Sequence, residues 1–227
     1  MAELVVALDM ASGEEALALA DRLPGLRWVK VGPVLFVREG PALVSALEGR
    51  GYHVFLDLKL HDIPSAVAGG VAAARDLGVS MTTVHALGGA AMMRAAALEA
   101  GEMAVVAVTI LTGHDAAEVA AVFGRSDALE VAHEVDRLTD DALAAGLRGV
   151  VTSPLEAGRL RTRLGRDPWL VVPGIRAVGS AAGDQRRVAT PREAVRAGAT
   201  HLVVGRPITQ AADPAGTFEE LCADLEL

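Results

Sequence analysis

Residues 55–64 read Phe-Leu-Asp-Leu-Lys-Leu-His-Asp-Ile-Pro, and the prediction of the fold starts from this stretch. Leucines alternate with Asp57 and Lys59, and a period of two residues is typical of a β-strand. The alternation places both charged side chains on one face of the strand, with their ends close together. Asp62 follows beyond the strand, just before Ile63-Pro64, where a helix could start. A structural ion pair with an aspartate helix cap is the simpler interpretation, but charges coupled at a strand end favour a functional site.

Seven further apolar runs have the length of buried strands, and helical stretches separate them. The predicted strands lie at 4–9, 27–31, 54–60, 80–86, 103–109, 149–152, 169–173 and 201–205. The predicted helices lie at 13–23, 34–48, 63–77, 90–100, 115–122, 129–145, 155–164 and 191–197, with a terminal helix that reaches Leu225. Eight such units predict an α/β fold, a (β/α)8 TIM barrel that forms a single domain over residues 1–227. An open doubly wound sheet is the alternative, but no Gly-x-Gly-x-x-Gly follows the first strand.

The composition narrows the class of protein. Hydrophobic residues make up 52% of the 227 residues, enough for a sizeable core, and the net charge of −8 disfavours a nucleic-acid-binding surface. The single cysteine, Cys222, excludes an internal disulfide and a cysteine metal cluster. No apolar run approaches membrane-spanning length and no signal-like leader precedes Leu4, so we expect a soluble cytoplasmic protein without membrane contacts.

Polar residues mark the carboxyl ends of the predicted strands, where barrel enzymes carry their chemistry. These residues are Asp9, Lys30, Asp57, Lys59, His85, Thr112, Arg176 and Arg206. The barrel prediction brings them together although they are far apart in sequence. A lone histidine more often packs or makes a local hydrogen bond, so His61 and His85 are interpreted as structural.

The loops after strands seven and eight have the composition of a phosphate site. They read Pro-Gly-Ile-Arg at 173–176 and Gly-Arg-Pro-Ile at 205–208. Glycine allows backbone N–H groups to approach an anion, and arginine forks bind phosphate oxygens. Residues 177–183 are small residues, mostly glycine and alanine, with no apolar anchor except Val178; they resemble a mobile lid, with Gln185 at its far end as a neutral donor to the phosphate.

With these motifs the chain resembles the orotidine 5′-phosphate decarboxylases, in their bacterial form, over nearly its whole length. Asp-Leu-Lys-Leu-His-Asp-Ile-Pro at 57–64 is the most specific match, and 29–32, 173–176 and 183–186 reinforce it. The resemblance implies decarboxylation of orotidine 5′-monophosphate (OMP) to UMP and CO2, the last step of UMP biosynthesis, without a cofactor or a metal. It also implies a homodimer with shared active sites.

The resemblance further implies a role for each matching residue. Lys59 is expected to protonate C6, Asp57 to sit against the substrate carboxylate, Asp62 to reach the neighbouring subunit's site, and Lys30 to bridge the ribose and the charged network. Substrate binding is expected to involve Asp9 and Lys30 at the ribose, Thr112 at the pyrimidine, and Arg176, Gln185, Gly205 and Arg206 at the phosphate. One departure is visible, because Ala66 stands where the family commonly has threonine.

Two other functions stay open on the sequence. A related phosphate-binding barrel with an Asp-x-Lys-x-x-Asp motif would act on a sugar phosphate with Mg²⁺, as a decarboxylase or a synthase. A non-catalytic barrel would bind a nucleotide without turnover. Lys30, the Leu-His-Asp-Ile-Pro continuation and the arginine loops favour the nucleotide enzyme.

Overall fold

A closed barrel of eight parallel strands is the centre of the molecule, and this confirms the (β/α)8 prediction. The computed structural model describes residues 2–122, 124, 130–176 and 188–225. The strands pair in sequence order, and β8 closes the barrel on β1. They are β1 (Glu3–Ala7), β2 (Trp28–Val31), β3 (His53–Leu60), β4 (Met81–His85), β5 (Ala104–Val108), β6 (Gly149–Val151), β7 (Trp169–Val172) and β8 (His201–Val204).

The α-helices of the described residues connect the strands and cover the outside of the barrel. They are α1 (Gly13–Arg22), α2 (Pro33–Glu39), α3 (Pro41–Glu48), α4 (Pro64–Asp76), α5 (Gly89–Glu99), α6 (Ala116–Val122), α7 (Val131–Ala144), α8 (Pro154–Leu164), α9 (Pro191–Arg196), α10 (Arg206–Thr209) and α11 (Pro214–Ala223). Many of them begin at a proline, whose fixed φ and missing N–H suit the first turn. Ser12 caps α1 as its position in the sequence suggests, since its hydroxyl accepts the Glu15 backbone N–H.

One helical stretch differs from the prediction. The single helix expected over 34–48 is two helices, because Gly40 adopts a φ of 64° and Pro41 starts the next helix. After β8, Pro207 lies in the first turn of the short helix α10, and Asp213 caps the terminal helix α11.

The barrel interior is filled from the bottom upward. At the amino-terminal end of the strands, the rings of Trp28 and Trp169 pack against His201, with centroid distances of 5.0 and 4.4 Å. Burial lowers the pKa of His201 to about 4, so the ring is neutral at physiological pH. Above this layer the strands contribute small and branched apolar side chains such as Val5 and Val106. Above the tryptophan layer the interior is therefore apolar up to the carboxyl-terminal end of the barrel, where the polar strand ends lie.

Strand β3 is irregular where it carries the charged motif. Its pairing with β2 is in regular register, but its pairing with β4 shifts between Leu56 and Leu60. Within this shift, Lys59 has a φ of 51°, and it is the one non-glycine residue of the described chain with a positive φ. The backbone therefore departs from regular strand geometry at Lys59, the residue that is expected to donate the proton.

No helix in the described part of the chain has both the length and the apolar character needed to cross a membrane.

Candidate active site

A cavity of about 790 Å³ opens at the carboxyl-terminal end of the barrel. Its walls combine the polar strand ends with an apolar floor. Most of the residues predicted for the site line it: Asp9, Lys30, Asp57, Lys59, Thr112, Arg176, Gly205 and Arg206. Val108, Ile110, Val151, Val171 and Val203 contribute apolar surface. The volume is within the range of small-ligand sites.

A network of four charged side chains lies at one side of this cavity. Asp57 receives hydrogen bonds from Lys59 Nζ on both carboxylate oxygens, each at 2.9 Å. Lys30 Nζ lies 3.7 Å from Asp57 Oδ2 and 3.1 Å from Asp9 Oδ1. Lys30 and Asp57 are buried, whereas Lys59 and Asp9 are more accessible from the cavity side. Two carboxylates and two ammonium groups thus alternate, so the network contains buried charges but has no net charge.

The chain makes room for this network at Gly32, just after β2. A Cβ atom at this position would lie 2.9 Å from Asp9 Oδ1 and 3.1 Å from Lys30 Nζ. Any side chain would therefore press against the Asp9–Lys30 pair. The glycine of the Val-Lys-Val-Gly motif has a steric function that its place in the sequence did not reveal.

Thr83 on β4 connects Asp57 and the backbone of Lys59. Its hydroxyl donates to Asp57 Oδ1 at 3.0 Å and accepts the Lys59 backbone N–H at 2.8 Å. The side chain is completely buried. Sequence reasoning missed this residue, and the available signal was weak: two adjacent threonines, Thr82 and Thr83, between the apolar Met81 and Val84.

The other side of the cavity carries the two arginine loops. Arg206 follows Gly205 at the end of β8, and Arg176 lies just beyond β7. Burial lowers the pKa of Arg176, and the positive charge of Arg206 lowers it further. Two guanidinium groups close enough to repel each other create a positive region that favours an anion.

Thr112 lies on the loop after β5 and lines the cavity as predicted. Gln185 and the suggested lid at 177–183 lie outside the described residues. Their assignment to the phosphate stays a prediction.

Asp62 is separate from the network within one chain. It is exposed, it is not among the described residues that line the cavity, and its carboxylate accepts the backbone N–H of Ile63 at 2.6 Å. In the described chain the second acid of the network is Asp9, which pairs with Lys30. Ala66 and Ser65 are also exposed, near the start of α4.

His61 and His85 stack on each other beside the motif, with ring centroids 5.4 Å apart. His85 Nδ1 accepts the Leu87 backbone N–H at 3.3 Å. Burial, and then the charges of His61 and Lys59, lower the pKa of His85 to about 4. Neither ring is among the described residues that line the cavity, which agrees with their interpretation as structural.

The described residues contain no group of three or more His, Cys, Asp or Glu side chains arranged to hold a metal ion. Independence of metals stays a prediction for experiment.

Comparison with known proteins gives a consistent result. The family model described as "Orotidine 5'-phosphate decarboxylase / HUMPS family" matches residues 2–221. A protein of Halorhodospira halophila is 50% identical over 98% of this chain and 95% of its own length, and one of Nitrosospira multiformis is 46% identical over 98% and 93%. A crystal structure from Lactobacillus acidophilus is 34% identical, covers 100% of both chains and superimposes with a TM-score of 0.86. All three are named orotidine 5′-phosphate decarboxylase. The cavity, its charged network and these similarities together show that the chain belongs to the orotidine 5′-phosphate decarboxylase / HUMPS family.

Proposed function

We propose that this protein decarboxylates orotidine 5′-monophosphate to UMP and CO2, with Lys59 as the proton donor to C6. One observation carries the proposal. The Lys30–Asp57–Lys59 network on β2 and β3 lies in the same cavity as Arg176 and Arg206, which follow β7 and β8. A nucleotide substrate needs both regions, because its phosphate and its reacting carbon are at opposite ends.

The chemistry requires a positive charge and a proton at one carbon atom. When the bond between C6 and the carboxylate breaks, CO2 leaves and the electron pair stays on C6 in the plane of the ring, where the π-system delocalises it poorly. The Lys59 ammonium stabilises this pair and then gives it a proton, ending as a neutral amine. At an effective dielectric constant of 20, two unit charges 4 Å apart interact by about 4 kcal/mol. Preorganisation and the binding of remote substrate groups supply the rest.

Asp57 has two roles in this proposal. Both of its carboxylate oxygens accept hydrogen bonds from Lys59 Nζ, and these bonds hold the ammonium group in place. Its negative charge also faces the position of the substrate carboxylate, and loss of CO2 relieves the repulsion between the two anions. Because Asp57 is buried, water screens this repulsion weakly.

The remaining contacts orient the substrate. Arg176, Gly205 and Arg206 bind the phosphate, Asp9 and Lys30 bind ribose hydroxyls, and Thr112 contacts the pyrimidine. The open space between the network and the arginines supports this arrangement. Gln185 is proposed as a further phosphate donor on the sequence alone.

The Mg²⁺-dependent sugar-phosphate enzyme is the second candidate, since the family description includes HUMPS beside the decarboxylases. Against it, the relatives compared above are 46–50% identical and are named decarboxylases. A non-catalytic barrel would leave the alternation of Lys30, Asp57 and Lys59 without a purpose.

The test is the loss of ultraviolet absorbance when OMP is mixed with the protein. We expect turnover by the wild type, with or without EDTA, and no turnover by Lys59→Ala. That variant should still bind UMP, because its phosphate and ribose contacts are intact. Turnover by Lys59→Ala at the wild-type rate would refute the proton donor, and loss of activity in EDTA would favour the sugar-phosphate enzyme.

We also propose a homodimer in which Asp62 completes the partner's site. Exposed apolar side chains support a contact surface beside Asp62: Val34, Ile63 and Leu87 are 60%, 65% and 37% exposed. Each follows the carboxyl end of one of three consecutive strands, β2, β3 and β4. Such side chains at one end of the barrel favour association with a second copy.

Subunit mixing tests this arrangement. Lys59→Ala and Asp62→Ala subunits should each be inactive, but their heterodimer has one site with both defects and one site with none. Activity should return to roughly half of the wild-type value per heterodimer. A mixture of Lys59→Ala with Asp57→Asn is the control, because both defects then lie in their own subunits' sites and neither site is intact. Absence of recovery after verified exchange would place Asp62 in its own subunit's site.

The extent of the domain over residues 1–227 and the cytoplasmic location remain predictions from the sequence.

A further inference from the structure

Thr83 occupies an unusual place between two parts of the reactive motif. Its one hydroxyl oxygen lies 3.0 Å from Asp57 Oδ1 and 2.8 Å from the backbone nitrogen of Lys59. The backbone N–H can only donate, so the hydroxyl is the acceptor in that contact. Its own hydrogen is then available for Asp57, which, when ionised, can only accept. Both contacts of the hydroxyl are therefore fixed in direction.

The backbone of Lys59 needs such support. A φ of 51° is unfavourable in a residue with a β-carbon, and it persists only where neighbouring contacts hold it. The regular pairing of β3 with β4 is interrupted between Leu56 and Leu60, so the ladder does not hold it. The Thr83 hydroxyl is the acceptor that the Lys59 N–H finds in place of a strand carbonyl.

We propose that Thr83 is a positioning residue for the decarboxylation: it holds the Asp57 carboxylate and the Lys59 backbone at a fixed separation, so that the ammonium group points into the cavity. The inference rests on the proposed role of Lys59. Thr83 itself is completely buried, and it is not among the described residues that line the cavity. It therefore acts through Asp57 and Lys59 and not by contact with the substrate.

The chain contains a matched control on the same strand. Thr82 is also completely buried, and its hydroxyl donates to the backbone carbonyl of Leu56 at 2.9 Å. Each threonine thus connects β4 to β3 through one hydroxyl, but only Thr83 contacts the charged motif. Each valine substitution replaces one completely buried hydroxyl with a methyl group, so the two variants should lose a similar amount of folding stability.

The experiment compares kcat and KM for OMP in Thr83→Val, Thr83→Ser and Thr82→Val. A hydrogen bond to a charged group supports a loss of kcat of about 10- to 100-fold in Thr83→Val, with KM within about threefold of wild type. Thr83→Ser should restore most of the rate, and Thr82→Val should stay within about threefold. Hydrogen exchange of the Lys59 amide should accelerate in Thr83→Val and not in Thr82→Val.

Equal kcat values for the two valine variants, whether high or low, would overturn the proposal, as would an unchanged Lys59 amide. If Thr83→Val does not fold, Thr83→Ala and Thr83→Ser carry the test: serine should be at least about tenfold faster, and equal rates would overturn the proposal. Lys59→Ala separates this result from the proposed function. An inactive Lys59→Ala beside a fully active Thr83→Val would reject the positioning role alone.

Discussion

Replacement of Asp57 by asparagine tests how the charged network works. Asparagine has nearly the same shape and retains an oxygen for the Thr83 hydroxyl, so the change removes the charge and leaves the packing largely intact. In the wild type, Asp57 Oδ2 lies 3.7 Å from Lys30 Nζ and 2.9 Å from Lys59 Nζ. Without the negative charge, two ammonium groups would face each other across a largely buried space.

The distances give a lower limit for the effect. The two Nζ atoms can be no farther apart than about 6.6 Å, the sum of their distances to Asp57 Oδ2. At an effective dielectric constant of 20, two positive charges at this separation repel by about 2.5 kcal/mol. The repulsion drives the mobile Lys59 ammonium away from Lys30, and returning it to its position beside C6 costs this energy, so kcat should fall by about 70-fold or more. The substrate carboxylate no longer meets a negative charge, so KM should fall or stay constant.

Steady-state measurements of OMP decarboxylation at neutral pH check this prediction. Asp136→Asn is the matched control, because Asp136 on α7 also lies between two cations, Arg159 at 3.0 Å and Arg163 at 3.6 Å. That variant should keep the wild-type kcat. An Asp57→Asn enzyme with a kcat within threefold of wild type would refute the reasoning.

Three other predictions concern the phosphate, the network and the barrel core. Arg206→Ala should reduce kcat/KM for OMP by about 30- to 1000-fold, the range for losing a charge-assisted contact. The same change should have a much smaller effect on the reaction of orotidine, which lacks the phosphate. Arg196→Ala, at an exposed position on α9, is the control and should leave kcat/KM unchanged for both substrates. Gly32→Ala should strongly reduce activity in the same assay, because its Cβ would lie 2.9 Å from Asp9 Oδ1, and a folded variant with full activity would contradict the steric role. His201, with its pKa lowered from 6.5 to about 4, binds its proton more readily in the unfolded chain, so the free energy of unfolding should fall by up to about 3 kcal/mol as the pH drops from 6.5 to 4. Urea titrations at fixed protein concentration should show this loss, and His201→Gln should reduce it.

The sequence predicted the barrel and the contact between Asp57 and Lys59 because both depend on local periodicity. The alternation of strands and helices is visible in the order of residues, and a period of two brings neighbouring charges to one face. The period of two predicts regular strand geometry at Lys59 as well, but there the backbone adopts a φ of 51° and the register of β3 against β4 shifts. Thr83 was missed because its partners lie 24 and 26 residues away, a relation that only the register of β4 against β3 creates.

The composition of the network shows a second limit of sequence reasoning. The resemblance assigns Asp62 to the neighbouring subunit's site, and within one chain the acid that pairs with Lys30 is Asp9, on the loop after β1. The barrel brings β1 beside β2, so Asp9 reaches Lys30 across a strand boundary that no motif spans. Whether a carboxylate serves its own site or a neighbour's is a property of assembly, and the spacing of residues in one sequence does not encode it.

Lys30 and Lys59 are the only lysines among the 227 residues, and both belong to the network around Asp57. Every other basic side chain outside the histidines is an arginine, which does not react with amine-directed reagents. Reductive methylation with ¹³C-formaldehyde would therefore label two side chains in addition to the amino terminus, and both labels would report on the cavity. Lys59 is the more accessible of the two and should react first. A bound nucleotide that covers the cavity should slow its labelling, so that the unmodified wild-type sequence supplies its own spectroscopic probe of substrate binding.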